Sequence, residues 1–142
     1  MKETQLYYRL DDIGIDVTDE KEVKKYNERL TSFAELEKPF SLLETAYNDR
    51  IKQRADITVN AFPEIDGVAE LSVYHDIKFK LFSRNVKRQR FSLCATYYGS
   101  NGESRLYFYE TQDIAEVRSI FENFVTARLC PDFSAWECLV ID

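Results

Sequence analysis

The sequence predicts a single α+β domain over residues 1–142: an N-terminal helical hairpin, an antiparallel β-meander of about four to six strands, and a C-terminal helix packed on the sheet. Three observations lead there. Apolar residues recur at helical spacing between Val23 and Ile51 and again from Ile114 to Val125. From Ala55 the period changes to two, as in a strand with one buried face. Finally, Asn101-Gly102, a favoured hairpin-turn dipeptide, separates two alternating runs rich in tyrosine.

The elements follow in order. Leu6, Tyr8 and Leu10 share one parity and Ile13, Ile15 and Val17 the other, so a two-residue turn at Asp11-Asp12 would bring all six onto one face of a small hairpin. Thr18 or Asp19 can cap a first helix, with Val23, Tyr26, Leu30, Phe33 and Ala34 as its stripe, fading near Glu37-Lys38 before Pro39. A second helix opens at Ser41 with Glu44 three residues on, and Leu43, Ala46, Tyr47 and Ile51 form its apolar face.

Ile57, Val59 and Ala61 then alternate with polar neighbours in a strand that should stop at Pro63, and Asp66-Gly67 supplies a turn. Odd positions from Ala69 to Leu81 are mostly apolar. A turn at His75-Asp76 would mix the two faces, so one long strand is the better reading. A turn centred on Asn101-Gly102 sets Tyr97 against Leu106, leaving Cys94, Thr96, Tyr98, Arg105, Tyr107 and Tyr109 together on the other face. Asp113 opens the last helix, whose stripe is Ile114, Val117, Ile120, Phe121, Phe124 and Val125, followed by Leu129; Cys130-Pro131 should stop it. Trp136 to Ile141 reads as a strand.

Composition narrows the function. A chain of 142 residues with 44% hydrophobic residues can bury a core without staples. Cys94, Cys130 and Cys138 cannot all pair and form no CxxC, so reduced thiols are expected rather than a disulfide framework or zinc site. No stretch has the length and hydropathy of a membrane span or signal peptide, and the expectation is a soluble cytoplasmic protein. The net charge of −6 is unevenly spread: residues 77–102 carry +6, whereas residues 1–49 and 103–142 carry −5 each. A generic nucleic-acid binder is basic overall, so nucleic acid is not the expected partner.

Chemistry-bearing motifs are scarce. His75 falls on an apolar strand parity and reads as a core histidine or one at a bend, not a general base. Asp12-Ile-Gly-Ile-Asp16 lacks the alternating oxygen ligands of a calcium loop. No P-loop, GxGxxG, GxSxG or HExxH occurs, and no metal, cofactor or catalytic residue is nominated. Three candidate surfaces remain. The acidic residues Asp11, Asp12, Asp16, Asp19, Glu20 and Glu22 could contact a basic partner. The cations Lys78, Lys80, Arg84, Lys87, Arg88 and Arg90 could hold an anion or an acidic protein, the last four lying on a connection. Tyr98, Arg105, Tyr107 and Tyr109 could form an exposed aromatic face.

In size, charge and composition the chain resembles small acidic bacterial inhibitors such as immunity proteins, which are often compact α+β domains without catalytic residues. That resemblance implies a non-catalytic protein that neutralises a basic toxin or nuclease. The alternatives are an RNA- or phospho-ligand-binding module using residues 78–90, and a small-ligand cup formed by a bent sheet and helices.

Overall fold

The computed structural model describes residues 3–13, 28–45, 54–78 and 88–141. Its centre is one seven-stranded antiparallel sheet. The strands are β1 (Gln5–Ile13), β2 (Glu28–Leu30), β3 (Arg54–Ile65), β4 (Val68–Lys78), β5 (Arg88–Tyr98), β6 (Ser104–Thr111) and β7 (Glu137–Ile141), in spatial order β2-β1-β3-β4-β5-β6-β7. Among the described residues, two short helices, α1 (Glu37–Thr45) and α2 (Ile114–Thr126), and 3₁₀ turns at Phe33–Leu36 and Phe133–Ala135 accompany it.

This architecture corrects the expected helical hairpin. Leu30 lies in β2, opposite Leu6, and Phe33 opens a 3₁₀ turn capped by Ser32. Leu30 and Phe33 are three residues apart, a separation that suits a helical stripe equally well, so periodicity did not distinguish the two. Pro39 does not separate two helices either. It occupies the first turn of α1, where its missing N–H would have had no helical acceptor, and Ser41 lies inside the helix rather than at its start. The rest of both expected helices falls outside the described residues.

The expected hairpin at Asp11-Asp12 is also absent. β1 runs straight through it against β3, pairing Leu6 with Ala61, Tyr8 with Val59 and Leu10 with Ile57. The self-hairpin would have set the same three positions against Val17, Ile15 and Ile13, so alternation alone fits either partner, and the observed register is with β3. β3 in turn does not stop at Pro63 but continues to Ile65, with a register irregularity between Asn60 and Ile65 that accommodates the proline.

β3 and β4 are joined at Asp66-Gly67, both with positive φ (47° and 86°), as a two-residue hairpin turn requires. A register shift between Val68 and Glu70 lets Val68, Leu71 and Val73 all point to the core, so Val68 replaces Ala69 as the first core residue of β4. The strand stays continuous through His75-Asp76, which pair with Phe91 and Arg90.

One face of the sheet is apolar and carries the helices. Leu6, Ile57, Val59, Leu71, Val73, Phe91, Leu93 and Ala95 meet Leu36, Phe40 and Leu43 from one helical segment and Val117, Phe121 and Phe124 from the other. Phe40 packs edge-on against Phe121 with ring centroids 5.4 Å apart, joining the two segments over the sheet. Arg118 spans the same junction, with its guanidinium 5.7 Å from the Phe40 ring and paired to Glu37. Asp113 caps α2, accepting from the Ala115 N–H at 3.0 Å. The helix ends at Thr126, before Cys130-Pro131: Arg128 takes positive φ (56°) and its side chain donates to the Val125 carbonyl. Leu129 is left exposed, outside the stripe it was expected to extend. Nor is α2 the last element, because the chain returns through the Phe133–Ala135 turn to add β7 beside β6.

Two glycines adopt positive φ in different surroundings. A Cβ on Gly67 would lie 2.3 Å from the Tyr97 ring, whereas one on Gly102 (φ 82°) would meet nothing within 4 Å. Gly102→Ala therefore costs about 1 kcal/mol, from backbone strain alone, and Gly67→Ala about 2–3 kcal/mol, because the Tyr97 ring must also move. Urea denaturation of the two variants checks the order, and equal losses would mean the ring yields freely.

Candidate functional site

The position of the functional face depends on the β5–β6 register. The loop is Ser100-Asn101-Gly102, closed by a Gly99 N–H to Glu103 carbonyl bond of 2.7 Å, with Gly102 in the left-handed conformation. It holds three residues, not the two expected around Asn101-Gly102. An odd loop moves the pairing by one and exchanges faces: Tyr97 pairs with Arg105, Ala95 with Tyr107 and Leu93 with Tyr109.

The expected aromatic face is therefore divided. Arg105, Tyr107 and Tyr109 lie on the helix-bearing side, and Tyr98 on the other. Tyr107 stacks on Phe133 at 4.2 Å between centroids and Tyr109 on Trp136 at 5.3 Å, so the segment before β7 covers both tyrosines. The Glu116 carboxylate near the Tyr109 hydroxyl, together with burial, raises the tyrosine's pKa. Arg105 pairs with Glu103 at 3.0 Å and is held firmly charged by it.

The charged candidates are placed as follows. Asp11 and Asp12 lie in β1, opposite Asp56 and Ala55. Lys78 ends β4 opposite Arg88, and Arg90 faces Asp76 across the same pair. Arg88 and Arg90 thus belong to a strand, not to the connection in which the sequence placed them. Asp16, Asp19, Glu20, Glu22, Lys80, Arg84 and Lys87 lie outside the described residues.

What the register assembles instead is a face free of helices among the described residues. One row runs across six strands as Tyr7, Asn60, Glu70, Thr96, Leu106 and Leu139. The row beside it reads Arg9, Thr58, Ser72, Cys94, Phe108 and Glu137. The middle of this face is small and polar: Thr58 and Ser92 are buried, and the Ser72 hydroxyl donates to the Cys94 carbonyl at 3.4 Å. Toward the Asp66-Gly67 end it becomes aromatic and acidic. There Tyr7, Phe62, Glu64, Glu70, Thr96 and Tyr98 line an open groove of about 480 Å³, whose lining includes two carboxylates and, among the described residues, no cation. Phe62 is 76% exposed and Tyr98 50%.

Of the aromatic and acidic residues of this groove, the sequence nominates Tyr98 alone, with Thr96 on the same expected face. A signal for Phe62 was present, since it is a large aromatic on the polar parity of β3, beside Pro63. Tyr7 likewise sits between the apolar residues Leu6 and Tyr8. Glu64 and Glu70 carry no such mark, because an acid on the polar parity of a strand is ordinary.

Nothing in the site resembles activated nucleophilic machinery. The Cys94 thiol is pushed up by burial and by Glu70. Cys130, which donates to the Ile65 carbonyl at 3.0 Å, is pushed up to about 11 by burial and by Asp66. Among the described residues no group of three or more His, Cys, Asp or Glu is placed to hold a metal ion, and no helix is long and apolar enough to cross a membrane. No protein-family model, curated protein or solved structure matches the chain.

A raised pKa keeps a thiol protonated, and so unreactive, until the pH approaches that value. At about pH 8, native protein treated with iodoacetamide should be alkylated at the exposed Cys138 alone, with Cys94 and Cys130 reacting after denaturation. Peptide mapping by mass spectrometry reads the result.

Proposed function

We propose that the protein is a non-catalytic acidic binding protein that neutralises a basic partner protein, in the manner of an immunity-type toxin inhibitor. The observation that carries this reading is the open groove at one end of the sheet, where three aromatic rings stand beside two carboxylates. Tyrosine and phenylalanine supply large contact area at low conformational cost and are the residues enriched in protein interfaces. Glu64 and Glu70, on a chain of net charge −6, steer a basic surface toward them. The face is wide and shallow, which suits a protein surface better than a small molecule.

The two kinds of residue have separable effects. Rings buried at the centre of an interface hold the complex together, and carboxylates at its rim speed the encounter. Binding of the protein encoded beside this gene, followed by biolayer interferometry, provides the test. Phe62→Ala or Tyr98→Ala should raise the dissociation rate at least ten-fold, a loss of about 1.4 kcal/mol or more. Glu64→Gln with Glu70→Gln should instead lower the association rate several-fold at about 50 mM salt and little at about 300 mM. Full binding by the aromatic variants would overturn the reading.

A further inference from the structure

The two edges of the sheet are built differently. β2 is three residues long and exposes Glu28 and Arg29, so it is short and charged, as protected edges are. β7 is less guarded, with Glu137 at one end as its single charge. It reads Glu-Cys-Leu-Val-Ile, has no lysine, proline or bulge, and has no partner beyond β6 among the described residues. Leu139, Val140 and Ile141 are 54%, 50% and 43% exposed. Leu139 and Ile141 continue the apolar surface of Leu106 and Phe108 on the open face, while Val140 and Cys138 lie on the other side. Such an edge offers backbone donors and acceptors at strand spacing with apolar flanks above and below, and a β-strand satisfies both.

We infer that β7 pairs with β7 of a second copy of this chain, antiparallel about a two-fold axis at Leu139. The strand is self-complementary in that register. Leu139 faces Leu139 of the second copy, Cys138 faces Val140, and Glu137 faces Ile141, so no carboxylate opposes another. The two Glu137 side chains stand four residues apart along the strands, about 14 Å, beyond the Debye length at physiological salt. A basic partner has no charge on β7 to steer it there, apart from Glu137 at one end. Pairing the less guarded edges leaves only the two guarded β2 edges outside, so the assembly closes as an isologous dimer and does not grow. Two five-residue strands bury less than the roughly 1,000 Å² of a stable interface, which makes the dimer weak and concentration-dependent.

Sedimentation velocity across the micromolar to millimolar range reads this directly. The expected result is a sedimentation coefficient that rises from monomer toward dimer, with the rise abolished by Leu139→Lys and Ile141→Lys. A cross-link keeps the inference falsifiable should those variants fold poorly. Leu139→Cys in a Cys138→Ser background, oxidised with diamide, should give a covalent dimer, since two-fold-related residues of an antiparallel pair lie within disulfide reach. Glu122→Cys in the same background, on exposed α2 surface, should give little. Three outcomes overturn the inference: a monomer at every concentration, a dimer indifferent to both lysines, or equal cross-linking at the two positions.

Discussion

The register of β5 against β6 decides which side chains this molecule shows to solvent. That register is set by the three-residue loop Ser100-Asn101-Gly102, where Gly102 takes a backbone conformation that few side chains tolerate. With an odd loop, Phe91, Leu93 and Ala95 share a face with Thr111, Tyr109 and Tyr107, and the helices cover that face. A two-residue loop would have put Phe108 and Leu106 under the helices and left Tyr107 and Tyr109 in water. The stacking of Phe133 and Trp136 on those tyrosines would be lost with it, and so would the path by which the chain reaches β7. A choice made in one turn thus propagates through β6 to the far edge of the sheet.

Among the described residues the helices cover one side of the sheet, and the strand alternation accounts for that side. β1, β3, β4 and β5 present apolar residues at alternate positions, and α1 and α2 cover the face these form. Phe40 and Phe121 meet at the centre of that cover, and Arg118 closes its seam from outside. Fully burying rings of this size contributes about 1.5–3 kcal/mol each. No comparable cover exists for the opposite face among the described residues, so its chemistry is that of the strand alternation itself: hydroxyls at the centre, aromatics and acids at one end.

The strands were more legible in the sequence than the way they pair. Alternation located β3, β4 and β5, because period-two burial leaves a mark that does not depend on the partner. It could not say that β1 belongs beside β3 instead of folding on itself, since Leu6, Tyr8 and Leu10 offer an equally good face to either. Leu30 and Phe33 misled for a related reason: two apolar residues three apart fit a helix, but also a strand end followed by a 3₁₀ turn. Pro39 was read as a barrier although a helix admits proline in its first turn. The groove was hidden by the same kind of ambiguity. Tyr98 lies on it and Tyr107 does not, and only the loop length separates them.

The acidic balance of the chain bears on self-association as well as on the proposed steering. Tyr7, Phe62 and Tyr98 in the groove and Phe108, Leu139 and Ile141 beyond it lie on one face, an amount of exposed apolar surface that favours association. A net charge of −6 opposes it, because two like-charged copies repel at long range wherever they approach at random. The repulsion is weakest where carboxylates are fewest and best spaced, along β7, and strongest near Glu64 and Glu70. Under the proposed pairing, self-association is thereby directed to the edge of the sheet, and the groove is left to the proposed basic partner. The same few carboxylates that would attract a basic partner also keep a second copy from occupying its place.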